Sequence, residues 1–112
     1  MTATPIPELS RNLVVARDKS RCVRCAGPCL PGEWHHRRTR NVRDDDTHLP
    51  SNGILLCPGC HRWVHAHPFE ARAEGWIVSR YSTPSLEPLT HALWGRVTLD
   101  HDGGYHQIEE TA

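Results

Sequence analysis

Apolar residues fall in short, separated runs along this chain. Leu9, Leu13 and Ala16 recur at helical spacing, with Val14 and Val15 beside them, which predicts a helix over 8–19. After a turn at Pro31-Gly32, Trp34 opens a strand expected over 33–38. Ile54-Leu55-Leu56 forms a second, brief strand that runs directly into Cys57. Residues 61–66 read as helical, and Pro68 with Gly75 frames a further short helix, proline at its start and glycine at its end. Residues 76–80 are expected as a strand. Val97 to Asp100 and Tyr105 to Ile108, joined by Asp102-Gly103-Gly104, predict a terminal β-hairpin within 93–109. The remaining segments carry little apolar pattern: a loose tail over 1–7, a polar loop over 40–51 and a proline-containing connection over 82–88.

A chain of 112 residues fits a single domain, and 38% hydrophobic content with a mean hydropathy of −0.57 makes its core thin. Domains of this kind often need a staple. Five cysteines and nine histidines exceed what such a core explains and point to metal. No apolar run approaches the roughly 18–20 residues of a membrane span. The first ten residues lack the basic start and apolar stretch of a secretory signal. With an odd number of cysteines, reduced thiols in a cytoplasm are the expectation.

Cys22-Val23-Arg24-Cys25 and Cys57-Pro58-Gly59-Cys60 are two C-x2-C pairs. Two residues between thiolates let a tight turn aim both sulfurs at one ion, and four sulfurs saturate tetrahedral zinc, the pattern of a structural site. A redox motif or two disulfides is the less economical reading of two matched pairs. The 31 residues between the pairs are more than a zinc ribbon carries, so something is inserted. Cys29 reads as a spectator, although it could replace Cys25 in a distorted turn.

The insertion holds His35-His36 and Asn52, and His61 follows Cys60 directly. His65, four residues after His61, shares its helix face. A zinc saturated by thiolates needs no histidine, so these residues predict a second site. Adjacent His35 and His36 on a strand point to opposite faces, one suited to a metal and the other to a substrate.

His35-His36, Asn52 and Leu56-Cys57-Pro58-Gly59-Cys60-His61, with His65, together resemble the HNH endonuclease motif in its cysteine-bearing form. The resemblance covers roughly residues 17–76. It implies an α+β domain of the ββα-metal (His-Me finger) type, two antiparallel strands and a helix around one divalent cation, here with a four-cysteine zinc site and a C-terminal hairpin. It also implies that His35, His61 and His65 bind the catalytic ion, whether Mn²⁺, Ni²⁺, Co²⁺, Zn²⁺ or Mg²⁺. His36 would be the general base, and Asn52 would orient the loop and strand that hold it. Trp63-Val64-His65 and Gly75-Trp76 resemble small free-standing HNH proteins of phages and prophages, which implies DNA as substrate and phage terminase subunits as possible partners.

The charges fit a nucleic-acid partner. Net charge is zero, with 13 basic and 13 acidic residues, yet nine of the basic ones lie between Arg11 and Arg43 beside only two acids, Asp18 and Glu33. Arg37, Arg38, Arg40 and Arg43 flank His36 and are the expected phosphate contacts. The loop between His36 and Asn52 departs from the family pattern: it is one residue longer than the commonest form, lacks the usual glycines and carries Asp44-Asp45-Asp46, a source of repulsion or of further metal ligands. Duller roles remain open. Asn52-Gly53 suits a hairpin turn, and His65 suits a helix surface. His48, His67, His91, His101 and His106 are expected at the surface, and the four tryptophans in packing. A non-catalytic zinc-dependent DNA-binding module and a terminase-docking accessory subunit are the rival functions.

Overall fold

The computed structural model describes residues 5–29 and 32–108. Residues 1–4 of the expected tail, Pro31 of the expected turn and residue 109 of the hairpin region lie outside them. Within the tail, Ile6 packs against the core, so the chain is anchored earlier than its composition suggested.

Helix α1 (Glu8–Arg17) places Glu8 in its first turn and Arg17 in its last, each sign complementing the helix dipole. Strands β1 (Glu33–His36) and β2 (Gly53–Leu56) pair antiparallel, with Trp34 opposite Leu55 and His35 opposite Ile54. Helices α2 (Pro58–Ala66) and α3 (Pro68–Ala73) follow, both opened by proline at the first turn, where a missing N–H costs nothing. Strands β3 (Leu89–His91), β4 (Gly95–Leu99) and β5 (Tyr105–Gln107) form a second antiparallel sheet in that order. The protein is thus an α+β domain with three helices and two sheets among the described residues. None of these helices is long and apolar enough to cross a membrane.

All four residues of β2 are buried, because α1 and α2 both pack against it. This explains a continuous Ile54-Leu55-Leu56 run where a one-sided strand would alternate. Val14 from α1, Val64 from α2 and Leu89, Val97 and Leu99 from the second sheet complete the core.

Three expectations about these elements need correction. Residues 76–80 form no strand: Gly75 (φ +78°) reverses the chain after α3, and a Cβ there would sit 2.0 Å from the Pro88 carbonyl oxygen. The terminal hairpin exists, but β3 joins it as a third strand, and a 3-10 turn (Pro50–Asn52) interrupts the expected loop.

A buried polar knot ties these layers together. Asp18, with none of its surface exposed, accepts from Arg17 Nε (2.9 Å) and Nη2 (3.0 Å), from His91 Nε2 (3.0 Å) and from the Leu55 N–H (3.0 Å). Arg17 also donates to the carbonyls of Pro50 (2.8 Å) and Gly53 (2.7 Å). His91 is therefore no surface residue. Its Nδ1 accepts from the Leu93 N–H (3.2 Å), so Nε2 carries the proton given to Asp18. Burial alone would raise the Asp18 pKa, but the Arg17 charge and the His91 and Arg17 hydrogen bonds hold it below 3.8.

Asp18→Ala is expected to lower stability by about 3–5 kcal/mol, because it strands the Arg17 guanidinium among carbonyls without its counter-charge. The depressed pKa adds stability that is full above the ordinary carboxylate range and fades as pH falls below 3.8 through the folded value. Denaturant melts at pH 7 and pH 3 check both statements. A variant as stable as the wild type at pH 7 would make the knot neutral.

Candidate metal centre

Four thiols converge from two turns. Cys22 and Cys25 lie in the loop after α1, which closes by Ala26 N–H to Cys22 O (2.8 Å) and Cys22 N–H to Gly27 O (2.9 Å). Cys57 caps α2, its Sγ accepting from the Cys60 N–H at 3.4 Å, and Cys60 stands in the first turn. One Sγ from each of the four lies within 4.8 Å of all the others. Backbone N–H groups point at the sulfurs, as at Gly27 to Cys25 (3.4 Å), and Arg24 donates to Cys60 Sγ (3.3 Å) while its guanidinium stacks 3.8 Å over the Trp63 ring. The Cys60 N–H favours the Cys57 thiolate, whereas burial raises Cys22 and pushes Cys60 up to about 12. A divalent cation would offset that cost, and the set can bind a structural metal such as zinc. Cys29, buried and pushed up to about 11 by its surroundings, is not in the cluster, as expected of a spectator.

Three imidazoles from β1 and α2 form a second convergent set. His35 comes from β1 and His61 and His65 from one face of α2, with ring centroids 5.1, 5.4 and 4.8 Å apart. One ring nitrogen from each lies within 4.8 Å of the other two. Their remaining nitrogens settle which atoms can face an ion. His35 Nε2 donates to the Trp76 carbonyl at 2.7 Å, which leaves Nδ1 with its lone pair. His61 Nδ1 donates to Glu33 Oε1 at 2.9 Å, which leaves Nε2. Metal-binding histidines are held in this manner, by a carbonyl or carboxylate on the far nitrogen. Burial pushes His35 down to about 3, so it is neutral and able to ligate at neutral pH.

His36, the next residue on β1, turns away from that set. Its ring lies 5.8 Å from Trp34 and 5.2 Å from His48, and its Nε2 is 3.1 Å from His48 Nδ1. Burial, and after it the nearby Arg40 charge, push His36 down to about 4. Both kinds of histidine line one cleft of about 540 Å³, with Trp34, Arg37, Thr39, Arg40 and Ile77 completing its walls.

Asn52 is buried at the end of the 3-10 turn. Its Oδ1 accepts from the Arg38 N–H (2.7 Å) and its Nδ2 donates to the carbonyls of Thr47 (2.9 Å) and Arg38 (3.4 Å). The side chain ties the two ends of the 38–47 loop to each other. Gly53, beside it, lies under the Trp34 ring, where a Cβ would come within 2.1 Å.

Two of the four expected phosphate contacts are corrected. Arg37 is 1% exposed and donates to the carbonyls of Gly75 (3.0 Å), Ser51 (3.1 Å), Pro84 (3.0 Å) and Glu87 (2.7 Å), and burial pushes it down to about 9. Arg38 is also buried and pairs with Asp44 (2.5 Å), which places that carboxylate on an arginine. Their guanidinium groups brace loops and are not presented to a backbone phosphate. Arg40 and Arg43 are exposed, Arg40 at the cleft.

His48 is half-buried against His36 and His67 stacks on Trp63 (4.3 Å), so neither is simply solvated; His101 and His106 are exposed, bonded to Ser51 and Asp100. Sequence reasoning missed Glu33 and His48. Glu33 had a signal, since it is two residues before His35 on the same strand face. Comparison with protein-family models, curated proteins and solved structures found no match to the chain.

Proposed function

We propose that the chain is a zinc-stapled, metal-dependent endonuclease of the HNH type that hydrolyses DNA phosphodiester bonds. One observation carries the reading: a three-imidazole donor set and a fourth, differently oriented imidazole share one cleft. His35, His61 and His65 fit a divalent ion, because their donor nitrogens converge and two of them are anchored from behind. When bound, that ion would stabilise negative charge on the scissile phosphate and the departing 3′ oxygen.

The chain's own residues supply the rest. His36, neutral because burial depresses its pKa, takes a proton from the attacking water. The water oxygen bonds to phosphorus as the bond to the 3′ oxygen breaks, giving 5′-phosphate and 3′-hydroxyl ends. Asn52 holds the loop beside the base, and Arg40 and Arg43 contact phosphates, which makes binding salt-dependent.

The test is plasmid cleavage by the zinc-loaded protein with added Mn²⁺, Co²⁺, Ni²⁺ or Mg²⁺, with and without chelator. Imidazole donors favour the first three over Mg²⁺, so those should support cleavage at concentrations where Mg²⁺ supports less. DNA binding with no cleavage in any metal would favour the non-catalytic module instead.

Glu33→Ala is expected to weaken Mn²⁺ binding about 10–100-fold by freeing the His61 ring, with little change in melting temperature, since the carboxylate is half-exposed. Calorimetric titration measures it, and an unchanged affinity would remove Glu33 from the site.

A further inference from the structure

We propose that His48 is the positioning residue that sets the tautomer and orientation of His36, an inference that rests on the hydrolytic reading above. A base that takes a proton from water needs a lone pair on the nitrogen facing the cleft. The hydrogen bond made by the other nitrogen fixes which one that is. In this protein His36 Nε2 is the engaged nitrogen, 3.1 Å from His48 Nδ1, which leaves His36 Nδ1 for water.

The direction of that bond follows from tautomer chemistry. If His36 Nε2–H donates, His48 Nδ1 must accept, and both rings carry their proton on Nε2. If the bond ran the other way, both rings would carry it on Nδ1. Free histidine favours the Nε2–H form, so the first arrangement uses the preferred tautomer twice and the second uses it never. His36 Nδ1 is then left with its lone pair. Edge-on rings, with 65° between their planes, suit an in-plane N–H meeting a lone pair.

His48 is itself presented by a braced loop. The preceding residue, Thr47, is buried; its Oγ1 donates to the Val42 carbonyl (2.8 Å) and accepts from the Asp44 N–H (3.0 Å). Asn52 holds the Thr47 carbonyl (2.9 Å), and the Leu49 N–H reaches the Asp46 carbonyl (3.1 Å). Asn52 makes no hydrogen bond to His36 itself; it acts on the base through the loop that carries His48. The Asp44-Asp45-Asp46 stretch, pinned by Arg38, belongs to the same brace.

The experiment compares His48→Ala and His48→Asn with the wild type, since an asparagine Oδ1 can stand where the histidine Nδ1 accepts. Ring-nitrogen ¹⁵N spectra of His36 are recorded beside steady-state nicking in Mn²⁺, calorimetric Mn²⁺ affinity and melting temperature. Wild type should show His36 protonated on Nε2 alone. His48→Ala should mix the tautomers and lower kcat about 10–100-fold, as loss of an orienting partner does elsewhere, with KM, Mn²⁺ affinity and melting temperature kept. His48→Asn should restore the single tautomer and most of kcat.

A wild-type His36 protonated on Nδ1, or a tautomer unchanged in His48→Ala, overturns the proposal. So does an asparagine variant that keeps its fold yet is as slow as the alanine. A wild type that cuts no DNA in any metal defeats the hydrolytic reading, while the spectra still decide what His48 does to His36.

Discussion

Cys57→Ser is expected to leave the domain largely unfolded at 37 °C. Cys57 is one corner of the four-thiol cluster, 4.0 Å from Cys25 across the gap between the two turns, and its sulfur caps α2 at the Cys60 N–H. Removing the thiolate opens the metal set at the start of the helix that carries His61 and His65, although a serine hydroxyl can still cap that helix. Structural zinc contributes about 10–16 kcal/mol of apparent binding energy in small zinc-dependent folds. A domain of this size holds only about 5–15 kcal/mol in total. Losing most of the first exhausts the second.

Cys29→Ser makes the control, because it changes a buried thiol of the same core without touching the cluster. It should retain about one zinc per chain after dialysis and melt within a few degrees of the wild type. Zinc content and circular dichroism of the two variants read the contrast. If Cys57→Ser keeps both zinc and melting temperature, the four thiols are not the staple.

The parts of this molecule that were legible in its sequence are those whose cause is local. The helix read from Leu9, Leu13 and Ala16 exists as α1 (Glu8–Arg17), although its buried face is Ser10, Val14 and Arg17 and Leu9 stays exposed. Two residues between cysteines define a turn, and both pairs meet in one cluster. A spacing of four from His61 to His65 defines a helix face, and the two rings lie together. Alternation along a strand separates His35 from His36, and the first joins that helix face while the second meets His48.

What was not legible depends on partners distant in the chain and often on backbone atoms, which leave no trace in residue identity. Arg37 looks like Arg40 in a sequence. Its acceptors are four carbonyls brought in from residues 51, 75, 84 and 87, and those make it a brace. His91 looks like His101, yet it closes on Asp18, 73 residues away. The strand β3 is three residues long with a polar centre, too short for any periodicity to register.

On the proposed hydrolytic reading, His36→Ala is expected to lower cleavage by about 10²–10⁴-fold, the usual cost of removing a general base, and no excess of metal should restore it. His35→Ala should fail differently. His35 contributes one of three converging nitrogens, so its loss weakens the ion, and a higher Mn²⁺ concentration should recover part of the rate. The contrast follows from strand geometry. Neighbouring side chains leave β1 on opposite sides, one toward His61 and His65 and one toward His48, so the two imidazoles cannot exchange roles.

The fold itself should survive the change at His36, because among the described residues its ring contacts only Trp34 and His48 of the aromatic groups and donates to no backbone carbonyl. His35 is more deeply placed, and its bond to the Trp76 carbonyl ties β1 to the turn after α3. Its variant should therefore lose some melting temperature even without metal. Mn²⁺ affinity by calorimetry, nicking rate against Mn²⁺ concentration and the melting temperature of each variant separate the two residues. If His36→Ala loses affinity as His35→Ala does, or if high Mn²⁺ restores its rate, His36 is a ligand and the base lies elsewhere in the cleft.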